Sequence, residues 1–142
     1  MSAQMDPKRA SASEKVVEPK EESVRHHKFS ELQEEWVNEN ISRKLVVGKN
    51  EMLGYLFLRK GSFVPTHKHV SEQITIIVKG ALEFTTQGKK ILVREGETLV
   101  IPPNVEHSAL AVEDTLDIDC FSPLREDWLT GQDQYLRGPT RK

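Results

Sequence analysis

The sequence has a single cysteine, Cys120, among its 142 residues. One cysteine cannot close an intrachain disulfide or supply a zinc cluster built from thiolates, so a metal would need other ligands. Lysine and arginine together number 20, against 22 aspartate and glutamate residues, which leaves a formal net charge of −2. Because positive charge is not in excess, the sequence predicts no nucleic-acid partner and no binding to anionic lipid.

Long apolar runs are also absent, and the N-terminus is charged where a signal peptide would carry an apolar centre. A transmembrane helix needs roughly 20 consecutive apolar residues, which this sequence nowhere provides. We therefore predict a cytoplasmic protein with no membrane partner. The length of the chain favours one domain of modest size.

The first 28 residues contain no leucine, isoleucine, aromatic residue or glycine, and eleven of their side chains are charged, six basic and five acidic. Such a segment cannot bury enough apolar surface to offset the entropy that is lost when it becomes ordered. We predict a flexible charged tail over residues 1–28 and a single folded domain over residues 29–142. A domain of about 114 residues is large enough to bury a hydrophobic core.

From Ile41 onward the sequence consists of short apolar runs separated by turn signals. Gly80, Gly88 and Gly96 recur at eight-residue intervals, which is typical of consecutive β-hairpins. This pattern predicts an all-β sandwich or barrel, since closure of a sheet removes its exposed edges. The eight predicted strands cover residues 41–47, 52–59, 73–79, 81–86, 90–94, 98–101, 108–112 and 116–121.

Short helical turns are predicted only near the two ends of the domain. The first covers residues 29–35 with Ser30 as its N-cap, and the second covers residues 123–129. Trp36 and Trp128 are expected to pack on the barrel beside these turns, because indole rings bury a large apolar area.

Three of the five histidines are candidate metal ligands. His67 and His69 stand two residues apart at the start of a β-run, and alternate residues of a strand point to one face. Gln73 shares their parity, while His107 follows a proline-rich turn that would return the chain across the barrel. Imidazole suits zinc, copper, iron and nickel, so these ligands do not choose the metal. The alternative is that the histidines are structural or incidental, because an isolated His-x-His pair is a weak signal.

The spacing of these residues resembles the first conserved motif of the cupin family, G-x5-H-x-H-x3or4-E-x6-G. Glutamine stands here where glutamate is usual. Glu72 is the register alternative for the fourth position, but it has the opposite parity and breaks the last interval of the motif. The matching residues are Gly61, His67, His69, Gln73 and Gly80.

The second cupin motif, G-x5-P-x-G-x2-H-x3-N, is matched with two departures. Asparagine replaces the second glycine, which it can do because asparagine also adopts positive φ angles, and alanine replaces the terminal asparagine. The matching residues are Gly96, Pro102, Asn104, His107 and Ala111.

The resemblance implies a small single-domain cupin, whose fold is a double-stranded β-helix, or jelly-roll barrel. It further implies one divalent transition metal, Zn, Ni, Fe or Mn, held inside the barrel by His67, His69, Gln73 and His107. A neutral amide at Gln73 would leave more of the ionic charge uncompensated than a carboxylate does, and so give a stronger Lewis acid. Small cupins commonly pair through their sheets, so the resemblance also implies a homodimer.

The last predicted strand carries Asp117, Asp119 and Phe121 on one face. Alternation alone allows this face to be in water, whereas Phe121 favours enclosure. Asp119, Phe121 and Arg125 match the pattern Asp-x-Phe-x3-Arg of the small cupins that linearise unsaturated uronates in pectin and alginate breakdown. This resemblance implies ring opening and ketonisation of a 4,5-unsaturated uronate, a small-molecule substrate, with Asp119 and Arg125 as catalytic residues and Phe121 and Arg125 as substrate-binding residues.

Other hypotheses stay open, because one fold supports many functions. The protein could be a metal-dependent cupin of other chemistry, such as a dioxygenase or a cyclase, or a non-catalytic cupin that binds a small molecule. Arg125 could equally form a structural ion pair with Glu126 or Asp127. The uronate hypothesis predicts that Asp119 and Arg125 point toward the metal cavity.

Overall fold

The computed structural model describes residues 23–137, which form an all-β barrel of two antiparallel sheets. The predicted jelly-roll fold is confirmed. Most of the predicted flexible tail, residues 1–22, lies outside the described residues. Residues 23–28 contain no helix or strand, but Arg25 donates a hydrogen bond from Nη2 to the carbonyl oxygen of Val47 at 2.8 Å. Contacts with the barrel therefore begin before residue 29, and the predicted domain boundary stays a prediction.

Ten strands build the two sheets. The strands are β1 (Glu35–Trp36), β2 (Ile41–Val47), β3 (Met52–Leu58), β4 (Phe63–His67), β5 (Glu72–Lys79), β6 (Ala81–Thr86), β7 (Lys89–Arg94), β8 (Thr98–Ile101), β9 (His107–Ala111) and β10 (Thr115–Ser122). The larger sheet has the order β1-β2-β3-β10-β5-β8, and the smaller sheet has the order β4-β9-β6-β7. β10 therefore lies in the middle of the larger sheet, between β3 and β5.

All eight predicted strands are present, with ends within one residue of the predicted bounds. Two further strands, β1 and β4, were not predicted. β4 contains Pro65, and a proline inside an apolar run argues against a strand because it cannot donate to the ladder. The pairing of β4 with β9 accommodates this proline by a register shift between Val64 and His67.

The helical turn predicted at residues 29–35 is only a 3-10 turn, Phe29–Glu31. The prediction of Ser30 as its N-cap was wrong, because Lys28 precedes the turn and gives no side-chain cap. Trp36 lies edge-on against Phe57, outside the core, with 45% of its surface exposed.

The second predicted turn is the helix α1 (Glu126–Thr130), and a helix that was not predicted, α2 (Gln134–Arg137), follows it. Trp128 of α1 is buried as expected, and its ring packs edge-on against Phe121. It lies over Gly54 of β3, where an added Cβ atom would approach the Trp128 ring to 2.9 Å. Within residues 23–137, no helix has the length and apolar character needed to cross a bilayer.

A network of buried charges fixes α2 against the first two strands. Arg43 of β2 is fully buried, with Nη1 2.7 Å from Asp133 Oδ2 and Nε 3.1 Å from Glu35 Oε1. Arg137 bridges the same two carboxylates at 2.6 and 2.5 Å. A buried charge without a partner is strongly destabilising, so these four residues hold the C-terminal segment in one place.

The register of β10 against its neighbours arranges the interior of the barrel. Burial alternates along this strand, and Thr115, Asp117, Asp119 and Phe121 point inward. Pairing with β5 places Phe121 beside Gln73 and Asp119 beside Thr75. Because side chains of one face on adjacent strands are neighbours, Gln73 and Thr75 of β5 face Phe121 and Asp119 of β10, while Asp117 faces Ile77.

Candidate metal centre

The structure brings His67, His69 and His107 together at one end of the barrel. His67 ends β4 and pairs across the smaller sheet with His107, the first residue of β9. His69 lies in the connection 68–71 rather than on a strand. One ring nitrogen from each histidine lies within 4.8 Å of the others, so the three side chains could hold a metal ion.

A backbone carbonyl oxygen fixes the orientation of each imidazole ring. Since a carbonyl oxygen only accepts, Nδ1 must carry the proton in all three rings, and each Nε2 keeps a free lone pair. Metal-binding histidines are commonly held in this way, with one nitrogen bonded to a backbone oxygen. The Nδ1 contacts are His67 to Pro65 at 2.7 Å, His69 to Ser71 at 2.9 Å and His107 to Val105 at 2.8 Å.

Gln73 directs its carbonyl oxygen toward this cluster. Its Nε2 donates to Thr75 Oγ1 at 2.8 Å, while its Oε1 lies 3.1 Å from Nε2 of His69. Both facing atoms are acceptors when His69 is neutral, and they repel each other unless a cation binds beside them. Nε2 of His107 is also buried and has no hydrogen-bond partner among the described residues. This set of unshared lone pairs fits a divalent transition metal.

Glu72, the register alternative to Gln73, is exposed on the outer side of β5. Gln73 is 6% exposed and faces the interior. The geometry therefore places the amide, and not the neighbouring carboxylate, beside the histidines. Asn104 adopts a φ of 63°, as expected for a residue that replaces glycine in the second motif.

Burial keeps the three imidazoles neutral. It lowers the pKa of His67 to about 3, with a further contribution from His107, and it lowers the pKa of His69 to about 4, helped by the charge of Arg125. The pKa of His107 is lowered mainly by burial as well. Because a metal binds only the deprotonated nitrogen, these shifts favour the ligand form at neutral pH.

Asp119 is buried beside the amide of Gln73. Its Oδ1 accepts a hydrogen bond of 2.6 Å from Thr75 Oγ1 and lies 3.4 Å from Gln73 Nε2. Burial raises the pKa of Asp119 to about 6, although the hydrogen bond from Thr75 and the charge of Arg125 act in the opposite direction. A carboxyl group with a pKa near neutral pH can both take and give a proton.

Asp117 is the inward-facing residue of β10 that precedes Asp119. Burial, followed by the nearby charge of Asp119, raises the pKa of Asp117 well above its ordinary value. Its Oδ1 has no hydrogen-bond partner in the described part of the chain. The acidic face of β10, which alternation alone could have placed in water, therefore lies inside the barrel.

Arg125 is buried between the barrel and α1. Its Nε and Nη2 atoms form a bidentate ion pair with Asp127 at 3.0 and 2.9 Å, and Nη2 also donates to Tyr135 Oη at 2.8 Å. The guanidinium carbon lies 5.0 Å from the centre of the Phe121 ring and 4.8 Å from that of Trp128. The ion pair with Asp127 that the sequence allowed is present, and Arg125 borders the interior cavity as well.

One cavity joins these groups. The empty space within it is about 440 Å³, a volume that includes open solvent at its mouth. The apolar part of its wall includes Phe121, Trp128, Leu56 and Leu82. The polar side chains that border it are His67, Gln73, His107, Asp117, Asp119, Arg125 and Tyr135.

Two residues of the site were not found from the sequence. Thr75 has the same parity as Gln73, so strand alternation could have identified it. Tyr135 stacks on His67, with ring centres 4.3 Å apart and planes at 23°, and it belongs to the helix that was not predicted. No motif or periodicity in the sequence pointed to Tyr135.

Comparisons with known proteins agree with this geometry. The family described as "Cupin domain" matches residues 54–121, which include the three histidines and all of β10 except its last residue. The "Pectin degradation protein KdgF" of Dickeya dadantii is 29% identical over 98 residues, which cover 67% of this chain and 89% of that protein.

Solved structures give the same result. KdgF from Halomonas sp. is 33% identical, with a TM-score of 0.66, over 70% of this chain and 94% of that one. An RmlC-like cupin from Shewanella frigidimarina shares the fold. It is 24% identical, with a TM-score of 0.70, over 75% of this chain and 96% of that one. The chain thus belongs to the cupin family, as a KdgF-like cupin.

Proposed function

We propose that this protein is a metal-dependent enzyme that opens the ring of a 4,5-unsaturated uronate and converts the resulting enol to a ketone. The observation that carries the proposal is that Asp119, Arg125 and two of the three clustered histidines, His67 and His107, border a single cavity. Similarity to the pectin degradation protein KdgF supports a sugar acid as the substrate class.

The proposed ligands of one divalent transition metal are His67, His69, Gln73 and His107. Zn²⁺, Ni²⁺, Fe²⁺ and Mn²⁺ all accept imidazole nitrogen and oxygen ligands. When bound, such an ion supplies Lewis acidity that polarises a substrate oxygen. Gln73 contributes a neutral oxygen, and its amide group is oriented for this role by the hydrogen bond to Thr75.

Arg125 is proposed to bind the substrate carboxylate. Nε and Nη2 of Arg125 are already occupied by Asp127, whereas Nη1 makes no hydrogen bond within residues 23–137. A guanidinium group is a suitable partner for a carboxylate because it is planar, permanently charged and rich in donors. Phe121 covers one side of the cavity and limits the access of water to the bound sugar.

Asp119 is proposed to move the proton. Its Oδ1 is held by Thr75, and its Oδ2 makes no hydrogen bond to the described residues, so Oδ2 is the oxygen that remains for the substrate. Asp119 removes the proton from the hydroxyl group on C1 while the bond between C1 and the ring oxygen breaks, which leaves an aldehyde at C1 and an enolate on the former ring oxygen at C5. Delivery of that proton from Asp119 to C4 converts the enolate to the ketone at C5.

The experiment is to load the purified protein with each metal and follow the ultraviolet absorbance of the conjugated double bond of unsaturated galacturonate. Asp119→Asn should lower kcat by about a hundredfold or more, because general acid–base groups contribute at least this much. Asp114→Asn, at an exposed carboxylate outside the cavity, is the matched control and should retain full activity. An absorbance decay that is no faster with any metal-loaded protein than without protein would refute the function.

We also propose that two copies pair through the outer face of the larger sheet. Ile74, Ile76 and Val78 of β5 point outward and are 46%, 38% and 41% exposed, and Val100 of the edge strand β8 pairs with Ile74. Apolar side chains that are adjacent on a sheet gain from burial against a second copy. Light scattering should show that the parent protein is a dimer and that Ile76→Lys is a monomer. Leu92→Lys, on the other sheet, should remain a dimer. A monomeric parent protein would contradict the proposal.

A further inference from the structure

The hydroxyl group of Tyr135 has a proton that no described residue accepts. A phenol oxygen can accept two hydrogen bonds and donate one. Tyr135 Oη accepts from Arg125 Nη2 at 2.8 Å and from Trp128 Nε1 at 2.9 Å. Guanidinium and indole N–H groups only donate, so neither partner can take the proton of the tyrosine. Tyr135 borders the cavity, where an acceptor could meet this proton.

Arg125 provides a second donor beside this hydroxyl group. The two N–H bonds of Nη2 are directed at Asp127 and Tyr135, whereas Nη1, on the same guanidinium carbon, has no hydrogen bond within residues 23–137. Both residues border the cavity, and Tyr135 Oη, which is bonded to Nη2, lies next to the guanidinium group that carries Nη1. Because Asp127 already compensates the charge of Arg125, a second donor would add substantially to the binding of an anion.

The position of Tyr135 is fixed from both sides. Its ring stacks on His67, and Asp133 and Arg137, two residues away in each direction, belong to the buried charge network with Arg43. A donor that is held in place before the ligand arrives loses little conformational entropy on binding. Tyr135 is thus placed as a fixed element of the cavity and not as a mobile side chain.

We propose that Tyr135 Oη and Arg125 Nη1 together bind one carboxylate group, and that Tyr135 makes the protein select a sugar acid over the corresponding ester. The proposal rests on the proposed function in taking a uronate as the substrate class. It adds a specificity-determining residue in the C-terminal helix α2 to the residues expected from the sequence.

The test compares unsaturated galacturonate with its methyl ester as substrates of metal-loaded Tyr135→Phe. The lost hydrogen bond to a charged acceptor should raise KM for the acid about ten- to hundredfold, while KM for the ester should stay within about twofold. Tyr55→Phe is a matched control, since Tyr55, the other tyrosine of the chain, packs against Phe29 outside the cavity. An equal loss for acid and ester, or no change for either, would overturn the proposal.

A binding measurement separates this proposal from the proposed function. Calorimetry would follow saturated D-galacturonate and its methyl ester titrated into the same metal-loaded proteins. Weaker binding of the acid alone to Tyr135→Phe supports the two-donor site even if the unsaturated uronate is not turned over. If the parent protein turns over the unsaturated uronate but the parent and Tyr135→Phe bind galacturonate equally well, the two-donor site is refuted and the proposed function remains intact. If the parent protein does not bind galacturonate, the two-donor site is also refuted.

Discussion

Replacing Gln73 by glutamate tests the assignment of this residue, because the change should affect the metal-free and the metal-loaded protein differently. In the metal-free protein, Gln73 Nε2 donates to Thr75 Oγ1 at 2.8 Å and lies 3.4 Å from Asp119 Oδ1. A carboxylate cannot donate at either contact. The substitution therefore removes a buried hydrogen bond and places two carboxyl groups against each other.

The expected loss of stability follows from these distances. Two carboxylates 3.4 Å apart would repel each other by about 5 kcal/mol at an effective dielectric constant of about 20, so one of them takes up a proton instead. Because the pKa of Asp119 is raised to about 6, its protonation at pH 7 costs about 1 kcal/mol. With about 1–3 kcal/mol for the lost donor, Gln73→Glu should lower the free energy of unfolding by about 2–4 kcal/mol. For a domain of this size, the melting temperature falls by about 8–16 °C.

In the metal-loaded protein the same carboxylate attracts the ion, so the rise in melting temperature on metal addition should be larger in Gln73→Glu than in the parent protein. Thermal unfolding with a chelator and with saturating metal measures both values. Glu72→Gln, at the exposed neighbour of Gln73, is the control and should change stability by less than about 0.5 kcal/mol. Equal losses with and without metal would refute the assignment of Gln73 to the metal, and an unchanged metal-free protein would refute the hydrogen-bond argument.

Three further predictions concern the site and one turn. A metal at 100 times its Kd should stabilise the parent protein by about 2.7 kcal/mol. His107→Ala should abolish this stabilisation, as measured by thermal unfolding with and without metal. In the metal-free protein, the raised pKa of Asp119, about 6, makes the contribution of this residue to stability fall by about 3 kcal/mol between pH 4 and pH 6. The lowered pKa of His67 has the opposite effect and makes stability rise with pH. Asp119→Asn removes the first effect, so stability measured by urea unfolding should rise more steeply with pH in this variant than in the parent protein. Gly80→Ala should lower the urea midpoint strongly, because φ is 93° and the new Cβ would collide with the carbonyl oxygen of Asp114.

Each of these predictions has a control in the same chain. His26→Ala, at an exposed histidine, should keep the response to metal, and loss of that response in His26→Ala would contradict the assignment of His107. Asp114→Asn should leave the pH profile as it is in the parent, and an unchanged profile in Asp119→Asn would contradict the burial argument. Gly88→Ala has a comparable φ of 77° but no atom within 4 Å of the added Cβ, so it should destabilise less than Gly80→Ala.

The strands and the histidine cluster could be predicted because their signals are local. Alternating apolar residues and glycine turns defined eight strands to within one residue, and motif spacing identified the three histidines and Gln73. Asn104 was correctly expected to adopt a positive φ. β4 could not be predicted, since Pro65 contradicts the usual composition of a strand and is tolerated only where the ladder with β9 shifts register.

The inner face of β10 and the role of the C-terminus depended on the whole fold. Alternation separated Asp117 and Asp119 from Ile118 and Cys120, but polarity would normally put the acids in water. Here the interior of the barrel contains a polar site, so the two aspartates are buried although acidic residues are usually exposed to water. Tyr135 contacts His67 across 68 positions of sequence, and no local pattern reports a contact of that kind.

The buried guanidinium of Arg43 has a consequence for the order of events during synthesis. About 90 residues separate Arg43 from Asp133, which corresponds to about 5–18 s of translation at roughly 5–20 residues per second. During that interval the guanidinium of Arg43 has Glu35 as a carboxylate partner, but Asp133, its second partner, has not been made. The pairing of this fully buried charge is therefore completed only after the residues that lead into α2 have been synthesised.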